Sequence, residues 1–355
     1  MNHIKQLDSL RALAVMLVII NHWNIAPLDF ISPEWKDVLG SAGVDIFFVL
    51  SGFLITRILL EQRAKTQIEK IDTRLLIKNF YFRRALRIFP VYYLFVIGIS
   101  LFQYYSIGHL LPEISYYVSY TTNYFKLFHE SDHLSMGHLW SLAVEEQFYL
   151  VWPWLILFID QTKVLRTILI FIAIGIASMY MLHTIKNHFY MTICCFQAFG
   201  AGGLLAWLTI FKPDLLKKAE SITRLLAISG IILIILGVLF PYANFIPLRI
   251  KNTCIAFYLI IHLYQMQYNK KFTFGFFFNN PFIIYIGKIS YGIYLFHISI
   301  PYVWNYLPEE INCIIPLYLT HSGIWISNFV ILLAMASLSY YLVEKPFLNM
   351  KKYYN

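Results

Sequence analysis

The sequence predicts an all-α, polytopic membrane bundle of about ten transmembrane helices, with both termini on the cytoplasmic side. Three observations carry that expectation. Of the 355 residues, 59% are hydrophobic and 13% are charged, whereas a soluble domain carries about 25% charged residues. Apolar runs near the ~20 residues that one bilayer crossing needs recur from one end of the chain to the other. Cations crowd into alternate short loops, the bias of a protein that keeps its positive loops in the cytoplasm. The formal net charge of +9 therefore points to topology and not to nucleic acid.

The runs fall near 8–26, 40–60, 80–103, 138–159, 165–184, 189–210, 222–241, 250–268, 281–304 and 322–343. The richest cationic stretch lies between the second and third runs, from Arg57 through Lys65, Lys70, Arg74 and Lys78 to Arg83, Arg84 and Arg87. Later inward loops carry Lys163 and Arg166, then Lys212, Lys217, Lys218 and Arg224, then Lys270 and Lys271. The opposite loops hold only Lys36, Lys126, Lys186, Arg249 and Lys251, and the last of them has Glu309 and Glu310. With both termini inside, the number of spans is even. The start of the chain resembles a signal peptide, but Asp8 and Arg11 interrupt it and no small-residue cleavage site follows, so it is expected to remain as a helix. No repeat or flexible linker divides the chain, and a single membrane domain over residues 1–355 is expected, with no soluble domain attached.

The first span, RALAVMLVIINH from Arg11 to His22, carries a cation at one end and an imidazole at the other. Eleven residues are close to three helical turns, so both sit on one face about 16 Å apart. That suits a site entered from both sides of a bilayer; a topology-setting Arg with an interfacial His is the plainer alternative. In the second span, GVDIFFVLSGFLIT, Asp45 shares a stripe with Gly52 and Thr56 and is expected at the depth of His22. A carboxylate there could fix the imidazole tautomer. Ser51 and Gly52 read as a close helix contact through small residues.

The third span opens YFRRALRIFP, and its Arg forks suit phosphates, although inside-positive flanking explains some of those cations. The fourth, HLWSLAVEEQFYLVWPW, places His138, Ser141 and Glu145 at i, i+3 and i+7 on one face. Glu145 and Glu146 are adjacent intramembrane carboxylates, which need either a function or a cation or donor partner each. His297, in KISYGIYLFHIS, reads as a packing residue, and Glu344 ends the last span in YYLVEKPF. His129 and His133 have helical metal-ligand spacing but no third ligand, so no metal is expected. Cys194, Cys195, Cys254 and Cys313 have no ligand spacing and read as packing residues.

Taken together, LDSLRALAVMLVIINH, GVDIFFVLSGFLIT, FRRALR, HLWSLAVEEQFYLVWP, ISYGIYLFH and VEKPF resemble the acyltransferase family 3 membrane proteins, in family order and over nearly the whole chain. The resemblance implies transfer of an acyl group, usually acetyl, from cytoplasmic acyl-CoA to a hydroxyl of a surface polysaccharide or lipid-linked glycan, across the bacterial cytoplasmic membrane. The family's essential Arg and His of the first span fall on Arg11 and His22, its arginine pair on Arg84 and Arg87, and its acidic end-motif on Glu344. The expected base is His22, with Asp45 or Glu145 orienting it. Acyl-CoA is the expected donor at Arg11, Arg84, Arg87 and Glu344. Some members carry an extracytoplasmic hydrolase-like domain; this sequence shows none, so direct transfer is expected. The competing classes are a proton-coupled transporter using the same buried His, Glu and Arg groups, and a non-catalytic receptor.

Overall fold

The computed structural model describes residues 4–23, 30–69, 72–108, 113–129, 136–240, 246–266, 275–304 and 321–351. Lys70, His133, Lys270, Lys271, Glu309, Glu310 and Cys313 lie outside the described residues. Among the described residues the chain is helical and holds no β-strand. Six helices are long and apolar enough to cross a membrane, or seven if one bent pair counts as a single span.

The six are α2 (Pro33–Glu69), α3 (Thr73–Ile107), α7 (Val164–Met181), α8 (Phe196–Phe211), α9 (Leu216–Leu239) and α15 (His321–Ser339). The run expected as one span over 281–304 is broken after Lys288 into α12 (Pro281–Lys288), α13 (Ser290–Phe296) and α14 (Ser299–Trp304). Three further expected spans are continuous helices of 18 or 19 residues: α1 (Lys5–His22), α6 (Trp140–Phe158) and α10 (Leu248–Met266). Polar groups keep these three below the apolar threshold. They are Lys5, Asp8 and Arg11 in α1, Glu145 and Glu146 in α6, and Arg249 and Lys251 in α10.

At 1.5 Å per residue, the 37 residues of α2 and the 35 of α3 reach about 50–55 Å, well beyond the ~30 Å of a hydrocarbon core. Both continue past the spans expected at 40–60 and 80–103. The segment expected as a long loop over 104–137 carries two short helices, α4 (Ile114–Val118) and α5 (Thr122–Phe128).

The chain forms two compact units, each built from three separate stretches. The first comprises residues 1–21, 33–73 and 144–288. Its centre is the crossing of α2 and α8. A Cβ on Gly52 would strike the carbonyl of Phe199, and one on Gly202 would strike the carbonyl of Val49. Only glycine allows this approach, as the SGF stretch predicts. Aromatic rings fill the surrounding space: Phe148 stacks on Phe199 at 4.1 Å, and Phe171 on Phe196 at 3.8 Å. Trp152 donates its indole N–H to Thr56 over 2.8 Å, satisfying a polar group that would otherwise be stranded. Gly287, before the break in the 281–304 run, lies against the backbone of Asp8 in α1.

The second unit comprises residues 22–32, 74–143 and 289–355. Gly292 of α13 packs on Ala336 of α15. The Tyr92 hydroxyl donates to the Tyr117 carbonyl over 2.8 Å, and Tyr291 to the Ile88 carbonyl over 2.9 Å. A π-helical turn at Tyr340–Glu344 joins α15 to the short α16 (Lys345–Asn349) and buries Glu344.

Candidate active site

Within the second unit, three histidines meet. His22 is the last residue of α1, His297 follows α13, and His138 lies in the short turn 137–139 that leads into α6. His22 is exposed, whereas His138 and His297 are buried. His22 Nδ1 lies 3.1 Å from His297 Nε2, with ring centroids 5.0 Å apart. The rings of His138 and His297 meet edge to face at 4.8 Å. The backbone around them is tied down. Trp23 donates its indole N–H to the His297 carbonyl over 2.7 Å. Tyr294 bonds the Ser141 hydroxyl at 2.6 Å and donates to the His138 carbonyl over 2.9 Å. His297, expected as a packing residue, is thus the hydrogen-bond partner of the expected base. The signal for it in the sequence was an unexplained imidazole inside an apolar run, one that spacing cannot connect to a residue 275 positions away.

The same unit gathers a second constellation. The Glu344 carboxyl is 5% exposed, its Oε1 has no hydrogen-bond partner, and Arg87 acts on it electrostatically. Arg83, Arg84 and Arg87 are each partly buried. Lys351, beyond α16, joins them: burial first, then Arg87, Arg84 and Arg83, push its ammonium down to about 7. Three arginines and Lys351 thus gather in one place, with Arg87 also acting on the buried Glu344. Sequence reasoning missed Lys351, because a lysine after the last helix looks like ordinary cytoplasmic flanking.

The first unit holds the remaining expected residues. Arg11 pairs with Asp8 one turn earlier in α1, at 2.5 Å. The charge that interrupts the apolar N-terminal run is therefore the partner of the arginine. Asp45, expected to orient His22, has its oxygens committed elsewhere. Oδ1 accepts from Arg249 at 2.8 Å, and Oδ2 from Asn252 at 3.1 Å and from Ser41. Asp45 is 0% exposed and Arg249 5%. A buried guanidinium needs this carboxylate, which is the physical reason Asp45 serves α10 instead of an imidazole. Arg249 and Lys251, expected as loop cations, are both buried in α10. Glu145 accepts from Ser51 at 2.9 Å and from Tyr149 at 3.1 Å. Ser51 is thus more than a small packing residue, and the His138–Ser141–Glu145 stripe divides. His138 and Ser141 bond Tyr294 in the second unit, and Glu145 bonds Ser51 in the first. Among the described residues no group of three metal-ligating side chains converges.

Six helices long and apolar enough to cross a membrane define the class as a multi-pass helical membrane protein. The comparison with known proteins makes that specific: the chain belongs to the acyltransferase family, whose acyltransferase domain matches residues 4–344. It is similar to the peptidoglycan O-acetyltransferase OatA of Listeria monocytogenes, 30% identical over 97% of this chain and 56% of that protein. It is also similar to the O-acetyltransferase OatA of Staphylococcus aureus strain NCTC 8325, 29% identical over 96% of this chain and 56% of that protein. A putative O-acetyltransferase of Staphylococcus aureus strain COL is 30% identical over 98% of this chain and 58% of that protein. The chain thus spans a little over half the length of these relatives. No solved structure matches it.

Proposed function

We propose that this chain is an integral-membrane O-acyltransferase that moves an acetyl group from cytoplasmic acetyl-CoA to a hydroxyl of a glycan outside the bacterial cytoplasmic membrane. Family membership supports the reaction type. The names of the relatives support acetyl as the group and a cell-wall or surface glycan as the acceptor class. The observation that carries the reading is the exposed His22 held against buried His297. A hydroxyl has a pKa far above neutrality, and a neutral imidazole is the side chain best matched to take its proton at pH 7. His22 also sits at the C-terminal end of α1, where the helix carbonyls face the positive charge that develops on the ring.

In this reading Arg84 and Arg87 hold the phosphates of the donor, with Arg83 and Lys351 beside them. Arg11, paired with Asp8, stays a proposed donor-binding residue of the first helix, and Glu344 orients Arg87. Glu145, held by two hydroxyl donors, is the second choice of base. Asp45, bound to Arg249 and Asn252, is read as architectural. The hydroxyl oxygen attacks the thioester carbonyl; the C–O bond forms, the C–S bond breaks, and the proton passes through His22 to the departing thiolate. The membrane domain is read as one functional domain of ten spans with both termini cytoplasmic. Reporters at Lys126 and at the C-terminus then lie on opposite sides.

The reading is tested by supplying acetyl-labelled acetyl-CoA to membranes with and without the protein and analysing their glycans. Label ester-bound to glycan only where the protein is present supports it. Transport of a solute with no labelled ester would replace it with the transporter reading.

A further inference from the structure

Protons in the histidine group can be placed from its hydrogen bonds. A backbone carbonyl accepts and never donates. His297 Nδ1 lies 2.7 Å from the Tyr294 carbonyl, so Nδ1 carries the proton. The ring is fully buried, and its two nitrogens face a carbonyl and His22, with no carboxylate among the bonds it makes. A buried imidazolium without an anionic partner is strongly unfavourable, so the ring is neutral and Nε2 holds a lone pair. That lone pair points at His22 Nδ1, 3.1 Å away. His22 Nδ1 must then be the donor, and its own lone pair is on Nε2. His138 follows the same rule from the other side. Its Nε2 lies 3.1 Å from the Leu295 carbonyl, which puts a proton on Nε2, and burial keeps the ring neutral beside His297. The alternative tautomer of His297 would set a lone pair against the Tyr294 carbonyl.

Resting on the assignment of His22 as the base, we propose that His297 is the positioning residue that holds His22 in its Nδ1–H tautomer, making Nε2 the nitrogen that accepts the hydroxyl proton. When Nε2 takes that proton, the imidazolium keeps its Nδ1–H bond to the His297 lone pair, so the charge is partnered and the ring stays aimed. His297 itself neither gains nor loses a proton. Its rigidity comes from Tyr294, from the Trp23 bond to its carbonyl, and from the His138 ring against its edge. A buried neutral imidazole here fills the place that a carboxylate takes in a triad.

The direct test is nitrogen-15 solid-state NMR of the full chain in lipid bilayers with labelled histidine, near pH 8, where an unperturbed imidazole is neutral (reference pKa about 6.5). The His22 signals are identified by their loss in His22→Ala. The expected spectrum shows His22 protonated on Nδ1 and bare on Nε2; the opposite tautomer overturns the proposal. In turnover, His297→Leu keeps the bulk but removes the acceptor. It is expected to lower kcat about 10- to 100-fold with donor KM unchanged, less than loss of the base itself at about 10²–10⁴-fold. His297→Gln offers an amide oxygen to His22 and is expected to recover most of that loss. In the His22→Ala protein, His297→Leu is expected to change nothing further. Full kcat in a folded His297→Leu protein overturns the positioning role. Full kcat in His22→Ala instead overturns the base assignment, and the tautomer is still read from the spectrum. If His297→Leu fails to fold, the wild-type spectrum and the Gln variant decide.

Discussion

The Asp45–Arg249 pair and the His22–His297 pair each join polar side chains far apart in the sequence, yet they differ in what they leave exposed. Asp45 and Arg249 are both buried, and Asp45 accepts from three donors. Nothing about that carboxylate is left for a substrate. His22 is exposed, and its Nδ1 lies against the buried His297. Intramembrane ionisable residues are default candidates for function. The contrast is one of burial and of how many partners each group holds.

The contrast breaks first at the ion pair. Removing one partner of a buried pair leaves an uncompensated charge, at a cost of about 3–5 kcal/mol. Asp45→Ala and Arg249→Met are each expected to lower the thermal midpoint in detergent sharply, while turnover per folded molecule holds. The double replacement by apolar residues is expected to be milder than either single change. Unaltered stability with lost turnover would return Asp45 to the active site.

Next is the donor group. Hydrogen bonds to charged partners contribute about 1.5–3 kcal/mol, so Arg87→Ala is expected to weaken coenzyme A binding by about 10- to 100-fold in equilibrium binding. Arg87→Lys keeps the charge, loses the fork and should fall between. Unchanged affinity in folded Arg84→Ala and Arg87→Ala proteins would remove the phosphates from this cluster.

The smallest effect sharpens the same region. The Lys351 ammonium is held at about 7, first by burial and then by Arg87, Arg84 and Arg83. It is therefore mostly neutral at pH 8 and mostly charged at pH 6.5. A bound polyanion favours the charged form, so donor affinity is expected to rise as pH falls across that window, by about fivefold to tenfold. Lys351→Met is expected to flatten the dependence; an unchanged slope would show that Lys351 does not face the donor.

The helical character of the fold was legible because hydropathy acts over single runs of about twenty residues. The same local rule explains the difficulties. α1, α6 and α10 are diluted by their own polar residues, and the break after Lys288 follows no proline or charge pattern that marks it. Among the candidate residues, Arg11, His22, Arg84, Arg87 and Glu344 stand in recognisable motifs. Their partners do not. Arg249 lies 204 residues from Asp45, and His297 lies 275 from His22. Depth matching along helices suggested Asp45 for His22, but depth is one coordinate, and which helix faces which is set by packing such as Gly52 on Phe199.

The central claim, that His22 is the base, is tested most directly by single-turnover acetyl transfer in the His22→Ala protein, normalised to the fraction that binds coenzyme A. The expected result is normal insertion and donor binding with transfer reduced by about 10²–10⁴-fold. Near-normal transfer from folded, donor-bound His22→Ala protein would contradict the account and move the base to Glu145 or His138.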